Sequence, residues 1–275
     1  MNETNPISLK LKIIYGTIIG GSMLIPGVSG GTTAILLGIY DDLISTVSGF
    51  RKSIKKNGLS LIQYSIGGIL GMLLLSRVML HLISNWELPI MFFFIGAIIG
   101  SLPPLYSKAK LPKLKLPNVI ACLFGTLISL SLFYLPANIF KLSYDFTLIN
   151  LLLLLAIGVI LAIALVLPGI SASYVLLMLG LYKETLYSIK TFNLAVLVPL
   201  GLGTLLGIFL VTNILEHFMS KHPQFTYMVI IGFMFGSIVQ VFPGVPSGIT
   251  IVYCLLTGIL GLVLIFWLSR KRQMS

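Results

Sequence analysis

The stretch PGVSGG, residues 26–31, interrupts a segment that is otherwise apolar enough to form a membrane helix. Proline removes a backbone donor and clashes with the preceding helical turn, and glycine is a weak helix former. Non-helical backbone at membrane depth is tolerated only where protein or a water-filled cavity satisfies its hydrogen bonds. The break therefore predicts that residues 26–31 line a cavity within a membrane protein.

The composition predicts that the whole chain is an all-α polytopic membrane protein. Of its 275 residues, 57% are hydrophobic and 9% are charged, a balance far outside that of soluble domains. Besides the interrupted segments, six apolar runs approach the roughly 20 residues that cross a bilayer. These runs lie at 60–83, 89–106, 117–135, 194–218, 226–243 and 248–268.

The second half of the chain repeats the first. PGISAS at 168–173 matches PGVSGG at an offset of 142, and LGIY at 37–40 recurs as LGLY at 179–182. Farther along, small residues and a histidine match at an offset of 136, beginning with Gly67 and Gly203. Transporters built from repeats place their sites on discontinuous helices at the repeat interface. We therefore predict two repeats, residues 1–147 and 148–275.

Loop charge predicts how the repeats cross the membrane. If 10–40 and 148–182 are re-entrant hairpins, each repeat crosses three times, the second repeat is inverted and both termini are cytoplasmic. Fourteen basic residues then lie inside and three outside, whereas ordinary spans at these positions would place seven inside and ten outside. The tendency of cytoplasmic loops to carry Lys and Arg favours the hairpins. The predicted fold is six full spans and two oppositely inserted hairpins, with PGVSGG and PGISAS at their tips.

The hairpin tips are candidate anion sites. Free amides and hydroxyls at the start of a helix attract negative charge, and glycine lets the backbone approach a ligand closely. The alternative is that these small residues only allow helices to pack closely. The expected phosphate-binding residues are Ser29, Gly30, Gly31, Thr32, Ser171 and Ser173, with Pro26, Gly27, Pro168 and Gly169 shaping the tips.

Arg77 is a further candidate for phosphate binding because it is the basic residue well inside a predicted span. A charge at membrane depth is costly and usually functional. The alternative is that its long side chain extends to the interface.

Several titratable residues are candidates for proton coupling, with simple solvation near the span ends as the alternative. For the three acids that follow the hairpins, holding the hairpin ends in place is a further alternative. They are His81, Glu216, His217, Asp41, Asp42 and Glu184.

Other classes of function lack a matching pattern. Two cysteines within apolar runs and three scattered histidines predict neither a metal centre nor another cofactor. The net charge of +11 is explained by cytoplasmic loops rather than by nucleic-acid binding. No nucleophile with an adjacent base is evident, so we expect no enzyme.

The motif PGVSGGT followed by AILLGIYDDLI, residues 26–43, resembles the opening signature of the bacterial polyprenyl-phosphate transporter family, formerly domain of unknown function 368. The resemblance extends over nearly the whole chain. It implies a plasma-membrane flippase that returns undecaprenyl phosphate, the lipid carrier of cell-wall peptidoglycan precursors, from the outer to the inner leaflet. Alternatives from the residues alone are a transporter of a small soluble anion and a membrane enzyme acting on lipid phosphates.

Overall fold

The computed structural model describes residues 8–23, 28–134 and 148–274. These ranges contain helices and no strand, which confirms the predicted all-α class. A 3₁₀ turn, Gly49–Lys52, joins the third and fourth helices. In chain order the α-helices are α1 (Leu9–Ser22), α2 (Gly30–Leu36), α3 (Tyr40–Ser48), α4 (Ile54–Lys108), α5 (Leu116–Tyr134), α6 (Leu148–Val166), α7 (Ala172–Met178), α8 (Tyr182–Thr191), α9 (Leu194–Lys221), α10 (Pro223–Val241) and α11 (Thr250–Met274).

The α4 helix folds back on itself. Its backbone is non-helical at Trp86 (φ −137°, ψ 35°). The neighbouring residues Asp41 and Asp42 bind Lys108 and Tyr64, so the last residue of α4 and its early turns lie close together. We name the limb before Trp86 α4a (residues 54–85) and the limb after it α4b (residues 87–108).

Six helices in the described ranges are long and apolar enough to cross a membrane: α4a, α4b, α6, α9, α10 and α11. The number agrees with the predicted six spans. Five of these helices coincide with predicted spans, and the sixth, α6, was predicted to be a limb of the second hairpin. The predicted span at 117–135 corresponds to α5, which has 19 residues, as α6 does, and reaches the edge of the described residues. No helix breaker occurs between Leu148 and Val166, so the helix continues until Pro168 approaches.

The described helices pack most closely in four pairs: α1 with α4a, α6 with α9, α4b with α11, and α5 with α10. Glycines make these contacts possible, as is common in membrane bundles. A Cβ on Gly67 would overlap the carbonyl oxygen of Ile13, and a Cβ on Gly203 would overlap that of Leu155. The two halves therefore use equivalent residues for equivalent contacts, at the offsets of 142 and 136 seen in the sequence.

The remaining two pairs connect the halves. A Cβ on Gly96 of α4b would overlap the carbonyl of Gly258 in α11. A Cβ on Gly232 of α10 would overlap the carbonyl of Cys122 in α5. The last long helix of each half thus packs against the other half, and the exchange is reciprocal.

The chain reverses direction after α1. Gly16 contacts Tyr64 and Gly21 contacts Leu75, so α1 runs parallel to α4a. The start of α4a therefore lies at the end of the bundle where α1 begins. Residues 23–53 must return the chain to that end.

The chain also reverses direction after α6. Gly158 contacts the carbonyl of Leu200, and Gly207 lies against Val159 and Ala162, so α6 runs parallel to α9. Since α6 and α9 begin at the same end of the bundle, residues 167–193 return the chain to it.

One end of the bundle is strongly basic. Lys12 at the start of α1 donates a 2.6 Å hydrogen bond to Ser60 near the start of α4a. Lys108 at the end of α4b and Tyr227 near the start of α10 both bind Asp41, which brings these termini to the same end. We name it the basic end after its cations, Lys10, Lys12, Arg51, Lys52, Lys55, Lys56, Lys108, Lys110, Lys113, Lys115 and Lys221.

Candidate functional site

The first predicted tip leads into α2, and its side chains cap that helix. The amide of Thr32 donates a 3.1 Å hydrogen bond to Oγ of Ser29, and the two hydroxyls lie 2.9 Å apart. Both side chains are buried. Ser29 thus satisfies the Thr32 amide, one of the groups expected to be free. Pro26 and Gly27 lie outside the described residues.

The glycines of the first tip allow close approach. A Cβ on Gly31 would lie 3.2 Å from the nitrogen of Pro168 and 3.2 Å from the carbonyl oxygen of Val166. A Cβ on Gly30 would lie 3.2 Å from Sδ of Met23. Gly31 therefore faces the second predicted tip directly, whereas Gly30 faces the end of α1.

The two tips are joined by a hydrogen bond. The amide of Gly169 donates to Oγ1 of Thr32 at 2.9 Å. Nearby, the hydroxyl of Tyr40 donates to the carbonyl of Val166 at 2.9 Å. All four residues are buried. The sequence alone did not indicate that the tips would meet.

The second tip rests against the middle of α10. Gly169 has φ +75°, and a Cβ there would overlap the carbonyl oxygen of Phe233. Glycine is therefore required at 169 both for its conformation and for space. The Gly169 carbonyl accepts hydrogen bonds from Oγ of Ser129 at 3.0 Å and from Nε2 of Gln240 at 3.1 Å.

The other residues of the second tip differ in their surroundings. Pro168 is buried beside Gly31. Ser171 is half-buried and precedes α7, but its side chain does not cap that helix. Ser173 lies in α7, and its side chain is outside the described part of the structure.

The hydroxyls of Thr33 and Ser22 form a second pair next to the first tip. Oγ1 of Thr33 donates to the carbonyl of Ser29 at 3.3 Å and lies 2.7 Å from Oγ of Ser22. These residues are buried. Together with Thr32 they form a compact polar cluster inside an otherwise apolar bundle. The sequence has two adjacent threonines at 32–33, but only Thr32 was predicted to bind phosphate.

Arg77 lies on α4a just beyond the level at which α1 ends, as the contact of Gly21 with Leu75 shows. Its side chain is exposed, and it forms no ion pair or hydrogen bond with the described residues. Its height along the bundle therefore corresponds to that of the first tip, but the structure does not bring it into the Thr32–Gly169 junction.

The acidic residues after the first tip bind other helices at the basic end. Oδ2 of Asp41 accepts from Nζ of Lys108 at 2.6 Å and from the hydroxyl of Tyr227 at 2.9 Å. Oδ2 of Asp42 accepts from the hydroxyl of Tyr64 at 3.0 Å. These carboxylates therefore attach the start of α3 to α4a, α4b and α10.

The remaining titratable candidates are dispersed. Glu216 of α9 accepts a hydrogen bond from Ser48, at the end of α3. His217 is exposed, and Glu184 of α8 is half-buried. His81 is exposed beside Asn85. The structure does not bring these four groups into the junction between the tips.

Ser129, Gln240 and Lys108 were missed as functional candidates. Gln240 is a polar residue within a predicted apolar run, which is a recognisable signal. Ser129 is not distinguishable in the sequence from the many serines that bond their own helix. The partner of Lys108 depends on a contact across 67 residues.

Comparison with known proteins identifies relatives over most of the chain. A family model described as "VCA0040-like: Undecaprenyl phosphate translocase-like" matches residues 19–252. A polyprenyl-phosphate transporter of Staphylococcus aureus is 32% identical over 271 residues, covering 94% of this chain and 96% of the relative. A polyprenyl-phosphate transporter of Vibrio cholerae is 29% identical over 253 residues, covering 87% and 78%.

Both relatives are named as transporters and not as enzymes, in agreement with the expectation of a non-enzymatic protein. No solved structure matches the chain. The break at PGVSGG, the second break at PGIS and the match over residues 19–252 lead to one conclusion: the chain belongs to the VCA0040-like, undecaprenyl phosphate translocase-like family.

Proposed function

We propose that this protein transports a polyprenyl phosphate, with undecaprenyl phosphate as the foremost substrate, from the outer to the inner leaflet of the bacterial plasma membrane. Family membership and the names of two relatives support the substrate class. The junction between Thr32 and Gly169 carries the proposal for the site, because it collects polar backbone and hydroxyl groups inside an apolar bundle.

The proposed architecture is a pair of inverted repeats, residues 1–147 and 148–275, each with one re-entrant hairpin. The parallel packing of α1 on α4a and of α6 on α9 supports the hairpins, because each pair requires the chain to turn back between its helices. The glycine contacts that recur at offsets of 142 and 136 support the repeats. The basic end is then the cytoplasmic end, with both termini there.

The phosphate is the part of the substrate that the protein must shield from the hydrocarbon of the membrane. Desolvating a charged head group in hydrocarbon is prohibitively costly, whereas an isoprenoid tail is already soluble there. The protein therefore shelters the phosphate between the tips while the tail stays in lipid.

At the tips, the phosphate replaces the hydrogen bond between Thr32 and Gly169. The Gly169 amide and the Thr32 hydroxyl are donors that become available when the tips separate. Ser29, Gly30, Gly31, Ser171 and Ser173 complete the proposed site. Arg77 supplies the positive charge, and its exposed side chain with no described ion-pair partner supports this role.

Alternating access follows from opening and closing this junction. In the described structure Gly31 lies against Pro168, so the junction between the tips is closed. Movement of one hairpin relative to the other exposes the phosphate to one leaflet and then to the other. Asp41, Asp42, Glu216, His217, His81 and Glu184 remain candidates for proton coupling.

Purified full-length protein in vesicles tests the function. Vesicles carrying undecaprenyl phosphate in the outer leaflet should lose it from that leaflet faster than protein-free vesicles, as measured by accessibility of the phosphate to an added phosphatase. Uptake of inorganic phosphate without lipid movement would indicate a soluble-anion transporter instead. Release of inorganic phosphate in the absence of phosphatase would indicate an enzyme.

A further inference from the structure

The carbonyl oxygen of Gly169 is held by two side chains from different helices. Ser129 of α5 donates from Oγ at 3.0 Å, and Gln240 of α10 donates from Nε2 at 3.1 Å. Gln240 also donates to Oγ of Ser129 at 2.9 Å. The three residues therefore form a closed triangle of hydrogen bonds around one backbone carbonyl.

The orientation of the Gln240 amide is fixed by chemistry. The carbonyls of Gly169 and Ser129 accept hydrogen bonds and cannot donate, and both lie within 3.3 Å of the same terminal atom of Gln240. That atom must be the nitrogen. The Gln240 amide nitrogen is therefore the group that donates to the Gly169 carbonyl.

The helices that carry these donors form a close-packed platform. A Cβ on Gly236 would overlap Cβ of Ser129, so α5 and α10 approach closely at this level. Oγ1 of Thr126 in α5 also donates to the carbonyl of Gly232 in α10 at 3.1 Å. Ser129 is completely buried in this contact. The platform therefore leaves little freedom for the Ser129 side chain to move.

The equivalent positions of the other repeat cannot supply the same pair of donors. At an offset of 136, Ser129 corresponds to Ile265 and Gln240 corresponds to Pro104. Neither side chain can donate a hydrogen bond. The two halves therefore differ in side-chain donors at these two positions, although their glycine contacts are equivalent.

We propose that Ser129 and Gln240 are positioning residues that hold the second tip fixed, so that the first hairpin carries the movement that opens the junction. This inference rests on the proposed function. By fixing the Gly169 carbonyl, the clamp orients the peptide groups on both sides of Gly169 and aims its amide at Thr32. A pre-oriented donor binds an anion more tightly because no ordering cost remains at binding. The clamp therefore sets affinity for the phosphate rather than the rate of hairpin movement.

The test is translocation kinetics of Ser129→Ala and Gln240→Met in vesicles, with undecaprenyl phosphate varied as a mole fraction of the lipid. Both substitutions retain approximate side-chain size and remove the donor. We expect KM to rise about tenfold in each variant, because the loss of one hydrogen bond costs about 1.4 kcal/mol. We expect kcat to change less than about threefold. The double variant should resemble either single variant, because both donors hold one carbonyl.

The matched control is Ser101→Ala, which removes a buried hydroxyl that bonds only the carbonyl of Ile98 in its own helix. Its KM should equal that of the unmodified protein, with rates normalised to folded protein. Lower thermal stability of the clamp variants with unchanged KM would reduce the clamp to a structural role and overturn the inference. A fall in kcat alone would overturn it too, since the second tip would then be the moving part. Failure of the unmodified protein to translocate the lipid would instead reject the proposed function.

Discussion

The amide of Gly169 and the hydroxyl oxygen of Thr32 lie 2.9 Å apart although 137 positions separate them in the chain. This hydrogen bond joins the two breaks that interrupt the apolar segments of each half. It lies among buried side chains, where an unpaired amide would cost about 1–3 kcal/mol. The contact therefore closes the junction and stabilises it at the same time.

Replacing Thr32 with Val should abolish lipid-phosphate translocation and lower stability by about 1–3 kcal/mol, because the Gly169 amide loses its acceptor. Vesicle translocation and thermal unfolding in detergent measure the two effects. Thr257→Val is the control, since Thr257 of α11 bonds carbonyls of its own helix. Transport by Thr32→Val at the rate of this control would exclude Thr32 from the site.

Replacing Gly31 with Ala should reduce transport at least about tenfold, because the new Cβ would lie 3.2 Å from Pro168 and Val166 and would separate the tips. Gly201→Ala is a matched control in α9, where a Cβ meets no atom within 4 Å. That control should transport normally and gain up to about 1 kcal/mol of helix stability. Equal transport rates for the two variants would contradict the close approach of the tips.

Replacing Arg77 with Ala should raise KM for the lipid phosphate about tenfold to a hundredfold, the range expected for a hydrogen bond to a charged group. Arg77→Lys should recover part of the affinity, since it keeps the charge but not the planar fork. Arg51→Ala, at the basic end, serves as a control with unchanged KM. An unchanged KM in Arg77→Ala would mean that the arginine side chain extends to the membrane interface and does not bind the phosphate.

Asp41 should matter more to stability than Lys108. Asp41→Ala removes the acceptor shared by Lys108 and Tyr227 and should cost about 1–3 kcal/mol. The ion pair itself is about one-third exposed on both sides, so Lys108→Ala should cost less than about 1 kcal/mol. Thermal unfolding measures both, and a larger loss for Lys108→Ala would reverse this ranking.

The proposed topology can be read from cysteine labelling in a Cys122→Ala, Cys254→Ala background. A cysteine at position 55 should react with an impermeant maleimide only after the membrane is opened, whereas one at position 190 should react in intact cells. Mass spectrometry of the protein gives the labelled fraction. Labelling of position 55 in intact cells would reject cytoplasmic placement of the basic end.

The sequence predicted the features that depend on backbone shape. Pro168 and Gly169 mark a break in any context, and glycines such as Gly67 and Gly203 recur because helices can approach closely only there. The helical class, the family and the offsets of the repeated contacts could therefore be predicted from the sequence.

The partners of the tip residues were not accessible from the sequence. Thr32, Ser129 and Gln240 each contact Gly169 across more than 35 positions, and periodicity carries no information about such pairs. Serine in a membrane helix usually bonds its own backbone, so nothing distinguished Ser129 from its neighbours. Arg77 is the opposite case: its position at membrane depth was evident in the sequence, but no partner among the described residues explains it.

The reciprocal packing of α5 on α10 and of α11 on α4b has the form of a domain swap within one chain. The last long helix of the first half, α5, packs on α10 of the second half. The last long helix of the second half, α11, packs on α4b of the first half. Two separate chains of half this length, joined in the same way, would each lack a complete interior when alone.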